Sequence, residues 1–509
     1  MTKGVERGAI SALLSRPASR THRTMPHRPL AAAFALLLTL PLAAQDSWPQ
    51  FRGPGGLSLG SGTPPAAFGP GESQLWRQDL PPGSSSPCIQ GELVVVTGYE
   101  EGLDVVLAFD RSSGELAWRR EFEGDEHPQY MHADAAPAVP TPCADADRFY
   151  CYLGSYGLVA LDREGKTAWE RRMPHPGYAF GIGNSPILCD GAVVVFRDGA
   201  PEAAVLALEA EDGSERWTID RFSFGESHGT PFVWRNSERT ELVIGGTARL
   251  QSFDPATGKQ LWSYTGTTVF PCTSAVADEE VLFFAAWSSP NADMRTLWEV
   301  GFGRSLELTE AEMADPALIF ERFDRNNDGK ILPEELPECR VKDAFVYLDQ
   351  NKDGHWDRDE LLTPLPPAPG KNLMIAVPAG VEGQVSDEDL LWKYTRQLPY
   401  VASPLLYEGR IWLVKAGGIL SCLDARSGEP IIRPQRLPDR SEYYMSPIGV
   451  DGRILLGSAE GSLFQLDAQA DELEILHETS FEDGLFATPA VVDGKVWLRS
   501  TRALWCFGD

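Results

Sequence analysis

The sequence lacks the cysteine patterns that mark metal and redox sites. Its 509 residues include 8 cysteines, of which none are adjacent and none form a CxxC pair. A zinc-binding or thioredoxin-type motif is therefore excluded. Burial as small apolar side chains is the favoured interpretation for most of the cysteines, while Cys143 and Cys151 flank a predicted hairpin turn and could face each other as a disulfide pair.

Positive charge is also scarce. The chain carries 45 Lys and Arg against 73 Asp and Glu, which gives a formal net charge of −28. A protein of this charge repels phosphate backbones, so no nucleic acid partner is expected. Because 43% of the residues are hydrophobic, the chain can still bury a large core. The composition predicts an acidic globular protein, which we expect to be a monomer.

Long apolar runs are missing outside the N-terminal region. Residues 29–44 read PLAAAFALLLTLPLAA, follow Arg28 and end in small residues. This run is too short to span a bilayer comfortably and is typical of a secretory signal peptide. We therefore expect a leader over residues 1–44, translated from Met1 or Met25 and cleaved near Ala44. The mature chain would be periplasmic or secreted, without a transmembrane segment.

A phrase of an acidic residue, a glycine and a tryptophan recurs about every 45 residues. Its clearest copies are Asp110-Gly114-Trp118, Asp162-Gly165-Trp169, Glu209-Gly213-Trp217 and Asp254-Gly258-Trp262. Two weaker copies carry Ile432 and Ile475 at the tryptophan position, while Trp76 and Trp392 lack the first half of the phrase. A large flat side chain at a fixed place in each repeat suits the wedge between neighbouring structural units.

Each repeat begins with a Ser-Pro or Thr-Pro pair and continues with β-rich runs separated by glycine turns. The pairs start at Ser86, Thr141, Ser185, Thr230, Ser403, Ser446 and Thr488, and Thr273-Ser274 stands at the corresponding place in one interrupted repeat. Four short strands per repeat predict an all-β fold, an eight-bladed β-propeller of four-stranded antiparallel blades. The last repeat ends after about three strands, so the strand around Trp76 could supply its fourth.

The repeat resembles the tryptophan-docking repeat of the pyrroloquinoline quinone (PQQ)-like propeller superfamily, from about residue 74 to the end apart from one insertion. Residues 47–54, SWPQFRGP, also resemble the mature N-terminus of secreted bacterial members. The superfamily includes quinoprotein alcohol dehydrogenases and the non-enzymatic BamB-like scaffold of outer-membrane assembly. The resemblance thus implies the fold and leaves the activity open.

A stretch of different composition separates two parts of the predicted propeller. It contains a helical pattern over residues 305–323, followed by two acidic loops. The chain is accordingly divided into a leader (1–44), an N-terminal extension (45–73), a first set of blades (74–290), a small α-helical EF-hand insertion (291–371) and a second set of blades (372–509).

Residues 324–335 and 349–360 each resemble an EF-hand calcium loop. Carboxylate and amide side chains alternate before a glycine, and a glutamate closes each loop, as a hard cation requires. The candidate calcium ligands are Asp324, Asn326, Asp328, Lys330, Glu335, Asp349, Asn351, Asp353, His355, Asp357 and Glu360, with Lys330 and His355 acting through backbone carbonyls. Ile331 and Trp356 share the position at which paired loops join by a short β bridge. The resemblance implies two Ca²⁺ sites, and the alternative is acidic loops that bind nothing.

Polar and aromatic residues are frequent in the connections that enter the opening strands, where propellers usually bind ligands at one mouth of the central channel. The candidates at this funnel are His132, His175, Tyr178, His228, Tyr400 and Tyr444, with Asn184, Ser227 and Phe486 nearby in the sequence. The alternative is that these connections are simply exposed.

Three functions remain open at this stage. The leading hypothesis is an exported calcium-binding propeller that binds a protein or glycan ligand at its face and acts as a binding or scaffold protein. The second is a PQQ-dependent dehydrogenase that oxidises an alcohol or a sugar. Such enzymes stack the quinone on a disulfide between adjacent cysteines, which this chain lacks, and no residue matches their catalytic Asp, so PQQ is not favoured as a cofactor. The third is a BamB-like outer-membrane assembly factor.

Overall fold

Eight sheets, each built on four antiparallel strands, form the blades of a β-propeller, which confirms the predicted fold. The structure is a computed structural model. It describes residues 46–124, 138–154, 156–173, 181–198, 203–221, 227–288, 306, 309, 311–312, 317–337, 353–357 and 371–509. The predicted leader, and most of the predicted EF-hand insertion, lie outside these residues.

The first four blades follow one another along the chain. Blade 1 contains Cys88–Gln90, Leu93–Glu100, Leu103–Asp110 and Leu116–Glu123. Blade 2 contains Cys143–Ala144, Arg148–Leu153, Gly157–Asp162 and Thr167–Arg172. Blade 3 contains Ile187–Cys189, Ala192–Arg197, Ala204–Glu209 and Glu215–Asp220. Blade 4 contains Phe232–Arg235, Thr240–Gly246, Arg249–Phe253 and Gln260–Thr265.

The last four blades include the interrupted repeat and the ring closure. Blade 5 contains Val276–Ala277, Val281–Ala286, Leu373–Pro378 and Trp392–Tyr394. Blade 6 contains Leu405–Tyr407, Arg410–Lys415, Ile419–Asp424 and Pro430–Arg436. Blade 7 contains Ile448–Val450, Arg453–Gly457, Ser462–Asp467 and Ile475–Ser480. Blade 8 contains Ala490–Val492, Lys495–Arg499, Ala503–Phe507 and the early strand Gln74–Asp79.

The ring is closed by strands from both ends of the folded chain, as the sequence predicts. Gln74–Asp79 pairs antiparallel with Ala503–Phe507, so the early strand supplies the fourth strand of blade 8. The opening strands are buried and approach those of neighbouring blades, whereas fourth strands such as Leu116–Glu123 are largely exposed. The opening strands therefore surround the axis, and the fourth strands form the outer rim.

Five of the tryptophans dock onto a glycine of the following blade. The indole of Trp118 lies on Gly165 of the following blade, and its Nε1 donates a hydrogen bond of 2.8 Å to the Arg163 carbonyl. A Cβ atom at Gly165 would lie 2.7 Å from the ring, and the backbone there has a φ of +78°, so the position requires glycine. Trp76, Trp169, Trp217 and Trp392 dock in the same way on Gly114, Gly213, Gly258 and Gly428. The predicted wedge role of the tryptophan is confirmed.

The acidic residue of the phrase holds the turn that carries this glycine. The Asp110 carboxylate accepts hydrogen bonds from the backbone amides of Ser113 (2.8 Å) and Ser112 (3.0 Å) and from the hydroxyls of both serines, and together these bonds lower the pKa of Asp110 to about 2. Asp254 and Asp424 cap their turns in the same way. The side chain thus replaces main-chain partners that a tight turn leaves without hydrogen bonds.

Blade 4 departs from this pattern because the next blade lacks the acidic half of the phrase. Nε1 of Trp262 donates to the buried Glu241 carboxylate (2.6 Å) instead of to a carbonyl of blade 5. A short strand from blade 5, Gly383–Val385, pairs in parallel with the outer strand Gln260–Thr265 and covers it. Blade 4 is therefore five-stranded, and its edge is protected by its neighbour.

The N-terminal extension crosses the inner side of the ring; we call residues 46–65 the strap. Main-chain hydrogen bonds join Trp48 to Ile89 of blade 1 and Gly60 to Gly449 of blade 7. Between them, Arg52 donates from its guanidinium to the carbonyls of Pro404 (2.7 Å) and Ala275 (3.2 Å) in blades 6 and 5. Burial lowers the pKa of Arg52 to about 9. The strap thus ties together blades that are far apart in the sequence.

Cys143 and Cys151, which the sequence left as a possible pair, do not form a disulfide. The seven cysteines among the described residues are all free, and six of them are buried. Cys143 and Cys151 lie on paired strands, but their side chains point into different apolar clusters on opposite faces of blade 2. Burial as small apolar side chains is therefore the better interpretation. No helix among the described residues is long and apolar enough to cross a membrane.

Candidate functional site

One face of the propeller carries both the predicted funnel and the base of the insertion; we call it the mouth face. In each antiparallel blade, the connection to the next blade leaves from the same end as the connection between the second and third strands. The EF-hand insertion interrupts blade 5 between Val281–Ala286 and Leu373–Pro378, its second and third strands. Its base therefore lies on the face where the opening connections converge.

The base of the insertion is closed by a reciprocal pair of hydrogen bonds. The Ser288 amide donates to Oδ1 of Asn372 (2.9 Å), and Nδ2 of Asn372 donates to the Ser288 carbonyl (3.0 Å). Directly below them, Ala286 and Leu373 face each other in the strand register. The blade is therefore complete beneath the insertion.

The Ser/Thr residues that open the blades form a belt of hydrogen bonds around the channel. The hydroxyl of Thr141 accepts from the Ser86 amide (2.9 Å), and that of Ser185 accepts from the Thr141 amide (2.9 Å). The same bond joins Ser185 to Thr230, Ser274 to Ser403, Ser403 to Ser446 and Ser446 to Thr488. Each hydroxyl thus satisfies the amide of the preceding blade, which positions the connections just above it.

His228 lies in the connection that enters blade 4. Its backbone amide donates to the Pro271 carbonyl of the next connection (2.9 Å), and its Cβ lies against Gly183 of the preceding one. The surrounding protein lowers the pKa of His228 to about 4, because burial disfavours the charged imidazolium. At neutral pH the imidazole is therefore uncharged and can both donate and accept a hydrogen bond.

Aromatic side chains gather on the other side of the mouth face. Tyr444 and Phe486, from the connections into blades 7 and 8, stack with ring centroids 5.2 Å apart and planes 14° apart. Tyr400, which enters blade 6, packs edge-to-face on Trp287 of blade 5 at 5.3 Å. All four side chains are partly exposed. We call these four residues the aromatic arc.

Several buried polar atoms beside the mouth face have no hydrogen-bond partner among the described residues. Oδ1 and Nδ2 of Asn184 both lack a partner, and so do the hydroxyls of Ser227 and Thr267. These residues lie in the connections that enter blades 3, 4 and 5. Because such groups are costly to bury alone, this sector is where a water molecule or a polar ligand group would be accommodated.

The first acidic loop has the backbone shape that an EF-hand loop requires. Helix Ala317–Phe323 leads into it, Asn327 and Gly329 adopt φ values of 55° and 81°, and the 3-10 turn Pro333–Glu335 ends it. The Asp324 carboxylate accepts hydrogen bonds from the amides of Asp328 (3.1 Å) and Gly329 (2.9 Å). Glu335 is buried and accepts from the amides of Arg325 (3.0 Å) and Leu332 (2.9 Å). The loop is thus folded around its own carboxylates.

The two acidic loops are joined by the predicted β bridge. Lys330–Ile331 pairs antiparallel with Trp356–Asp357, with Ile331 opposite Trp356, and both of these side chains are fully buried. In the second loop, Asp353 contacts the His355 imidazole at 2.7 Å and Gly354 has a φ of +86°. The bridge confirms the relative register that the sequence predicts for the loops.

The donor set of the first loop fits a hard cation such as Ca²⁺, because it offers carboxylate, amide and carbonyl oxygens around a glycine turn. Asp324, Asn326, Asp328, Lys330 and Glu335 would hold the ion. Within the described ranges no group of three or more His, Cys, Asp or Glu side chains is arranged as a metal site. In the first loop, the carboxylates of Asp324 and Glu335 instead accept hydrogen bonds from backbone amides.

The described residues only partly cover the predicted sites. Of the funnel candidates, His228, Tyr400 and Tyr444 lie at the mouth face, while His132, His175 and Tyr178 lie outside the described residues. Asp349, Asn351 and Glu360 of the second loop also lie outside them. The sequence reasoning missed Trp287 and Thr267. The position of Trp287, directly after the buried strand Val281–Ala286, could have indicated its place at the mouth face. No feature of the sequence marks Thr267.

The features that the resemblance implies for a PQQ site are not found among the residues described at this face. The resemblance implies a calcium ion beside the quinone, held by acid and amide side chains, and a disulfide between adjacent cysteines. Asn184 offers a buried amide without a partner, but no carboxylate cluster accompanies it within the described ranges. The sequence has no adjacent cysteines.

The architecture is an eight-bladed β-propeller with an EF-hand-type loop pair inserted in one blade. Comparison with known families agrees: residues 66–201 and 183–286 match the family described as outer membrane protein assembly factor BamB, and residues 317–338 match the EF hand. The second acidic loop lies beyond the matched segment. No curated protein matches the sequence.

Solved structures with the same fold include a BamB protein and two dehydrogenases. BamB from Moraxella catarrhalis is 11% identical, with a TM-score of 0.52 over 86% of this chain and 99% of that one. Quinohemoprotein alcohol dehydrogenase from Comamonas testosteroni is 12% identical, with a TM-score of 0.56 over 92% of this chain and 81% of that one. A europium-containing methanol dehydrogenase is 10% identical, with a TM-score of 0.57 over 91% and 98%. At these identities the similarity shows the fold alone.

Proposed function

We propose that this protein is an exported, calcium-binding PQQ-like propeller that acts as a binding or scaffold protein. The observation that carries the proposal is the first acidic loop, which has EF-hand geometry and is bridged to the second loop at Ile331 and Trp356. The insertion that holds both loops arises from the mouth face of the propeller, where ligands usually bind. Calcium would stiffen a module beside the ligand-binding face.

In this proposal calcium has a structural role. Each ion would replace part of the hydrogen bonding within a loop and fix the two loops about their β bridge. Extracellular modules of this type bind calcium in roughly the 10⁻⁴–10⁻³ M range, which suits a compartment where calcium is constantly present. The ligand at the mouth face would be a protein or a glycan.

Calcium titration of the calcium-free protein by calorimetry tests the first half of the proposal. We expect two bound ions, and one in each of the variants Glu335→Gln and Glu360→Gln, because losing the chelating carboxylate removes a ligand that binds with both oxygens. Glu334→Gln is the matched control, since this neighbouring side chain is exposed and outside the ligand set. Two ions bound by the double variant would contradict the EF-hand interpretation.

A role as an outer-membrane assembly factor is the second candidate, favoured by the family match over residues 66–286. Affinity purification of the tagged, calcium-loaded protein from cross-linked cells would test it. Specific recovery of outer-membrane assembly components would support this candidate, and their absence under conditions that recover a known assembly factor would argue against it.

A PQQ-dependent dehydrogenase is the remaining alternative, and titration with PQQ distinguishes it from a scaffold. The chain has 14 tryptophans, so a quinone bound in the channel should quench their fluorescence. Saturable quenching with dye-linked oxidation of an alcohol or a sugar would favour the enzyme. Unchanged fluorescence is the result that we expect.

A further inference from the structure

The guanidinium of Arg52 is a buried positive charge with no carboxylate partner among the described residues. Arg52 is 1% exposed, and its acceptors are neutral oxygens: the Ser58 hydroxyl (2.7 Å) and the carbonyls of Ala275 (3.2 Å) and Pro404 (2.7 Å). A guanidinium has five N–H groups, so two of them have no acceptor in the described part of the chain. A charge buried in this way is costly unless a counter-charge accompanies it.

The hydroxyl belt is open beside this charge. The two carbonyls that bind the guanidinium belong to the residues directly after Ser274 and Ser403, and these two serines are joined by a bond of the belt (2.9 Å). The preceding bond of the belt would run from the Thr230 amide to the Ser274 hydroxyl. That hydroxyl is buried and has no partner among the described residues. An unused hydroxyl therefore lies one residue from a carbonyl that binds Arg52.

A second buried arginine shows how the protein itself can supply a partner near the belt. Arg499 is 1% exposed and lies at the junction of blades 8 and 1, where its guanidinium donates to the Ser85 hydroxyl (2.8 Å). The hydroxyl at that junction is therefore satisfied within the chain. Arg52 makes no such bond to Ser274, so this hydroxyl and the remaining N–H groups of Arg52 are available to a ligand.

We propose that Arg52 and Ser274 bind a chloride ion inside the ring. This inference goes beyond the proposed function and does not depend on calcium. The N–H and O–H groups are all donors, and the negative charge of the ion would balance the guanidinium. A water molecule could accept from the same groups, but it would leave the charge without compensation. Because both side chains are buried, the site favours a small anion over a larger one.

The acidic character of the whole protein does not oppose a buried chloride as it opposes a polyanion. The net charge of −28 is spread over the chain, and exposed charges more than about 8 Å away are largely screened at physiological ionic strength. A buried contact is screened much less. The adjacent guanidinium therefore decides the sign of the ion that is bound.

Thermal unfolding in sodium chloride and in sodium methanesulfonate at equal concentrations tests the proposal. Methanesulfonate gives the same ionic strength but is a much larger anion. We expect a higher melting temperature in chloride, because an ion that binds only the folded state stabilises it. Line broadening in chloride NMR measures the affinity. In crystals grown with bromide, the anomalous signal should place an ion beside the Arg52 guanidinium and the Ser274 hydroxyl.

Two variants and two controls locate the site. Ser274→Ala should weaken chloride binding by about tenfold, since a hydrogen bond to a charged group is lost, and Arg52→Gln should abolish it. Ser421→Ala is the control for the first variant, because this serine is also buried but lies on the third strand of blade 6. Arg499→Gln is the control for the second, because burial also lowers the pKa of Arg499 to about 9. Both controls should retain the chloride affinity of the wild type.

Several results would overturn the inference. These are equal melting temperatures in the two salts, a chloride affinity that Ser274→Ala and Arg52→Gln leave unchanged, or crystals that show only a water molecule at this position. If Arg52→Gln does not fold, Ser274→Ala decides alone. Without a bound ion this variant removes only an unpartnered hydroxyl, so it should be at least as stable as the wild type in both salts. Calcium stoichiometry is measured separately, so failure of the chloride site and failure of the proposed function are distinguishable.

Discussion

At the scale of single residues, the contact between a tryptophan and a glycine in the next blade is the unit that repeats around the ring. Gly165 lies under Trp118 with a φ of +78°, while Gly409 has nearly the same backbone, with a φ of +76°, and no atom within 4 Å of its would-be Cβ. A comparison of substitutions at the two glycines therefore distinguishes the cost of backbone strain from the cost of steric contact with the indole.

We predict that Gly165→Ala destabilises the protein more than Gly409→Ala does. Each substitution places a side chain in the left-handed region, which costs about 1–2 kcal/mol. At Gly165 the added methyl group also displaces the indole of Trp118, which costs about 1–3 kcal/mol more. Urea unfolding followed by tryptophan fluorescence measures the difference. Equal losses of stability would mean that the indole packing contributes little.

The same residues show why this part of the fold could be predicted. The phrase is local, its members lie within nine residues of one another, and each has a chemical requirement that is visible in the sequence. A carboxylate caps a turn, a glycine takes a positive φ and an indole fills a wedge. Where the phrase is broken, at blade 5, local reasoning fails: nothing around Trp262 indicates that its partner is Glu241.

At the scale of elements, the strap is the feature that the sequence did not reveal. SWPQFRGP could be identified by resemblance, but the partners of Arg52 lie 223 and 352 residues away. No periodicity connects residues at such separations. The same limit applies to the hydroxyl belt, where each Ser/Thr-Pro pair is visible in the sequence but its acceptor role depends on the neighbouring blade.

We predict that Arg52→Ala loosens the strap and destabilises the propeller by about 2–4 kcal/mol. The Ala275 and Pro404 carbonyls would lose donors while remaining buried, and a cavity would replace the side chain. Relief of a buried charge that has no carboxylate partner among the described residues would offset only part of this loss. Urea unfolding gives the stability, and limited proteolysis within residues 46–65 reports the loosening.

Arg433→Ala provides the comparison, because this arginine is exposed on the outer strand of blade 6. Its unfolding midpoint and proteolysis rate should match those of the wild type. If Arg52→Ala behaves like Arg433→Ala, the strap is held by its main-chain hydrogen bonds alone.

At the scale of the whole molecule, closure of the ring and the inserted module are separable. The ring closes through Gln74–Asp79 on Ala503–Phe507, and this pairing involves no residue of the insertion. The insertion starts and ends at neighbouring strands that already pair as far as Ala286 and Leu373, with Ser288 and Asn372 bonded above them. A loop inserted at such a point adds little constraint to the sheet below it.

Two deletions should therefore differ in their effect on the stability of the propeller. Replacing residues 289–371 by a two-glycine linker leaves Ser288 and Asn372 close enough to be joined, so we expect a folded propeller with nearly the wild-type melting temperature and no calcium binding. Removing residues 46–79 leaves blade 8 with three strands and exposes the edge of Ala503–Phe507, so we expect a much lower melting temperature and aggregation through the open edge. Differential scanning calorimetry with light scattering distinguishes the two. A propeller that unfolds on loss of the insertion would show that the module is part of the core, and calcium would then stabilise the whole ring.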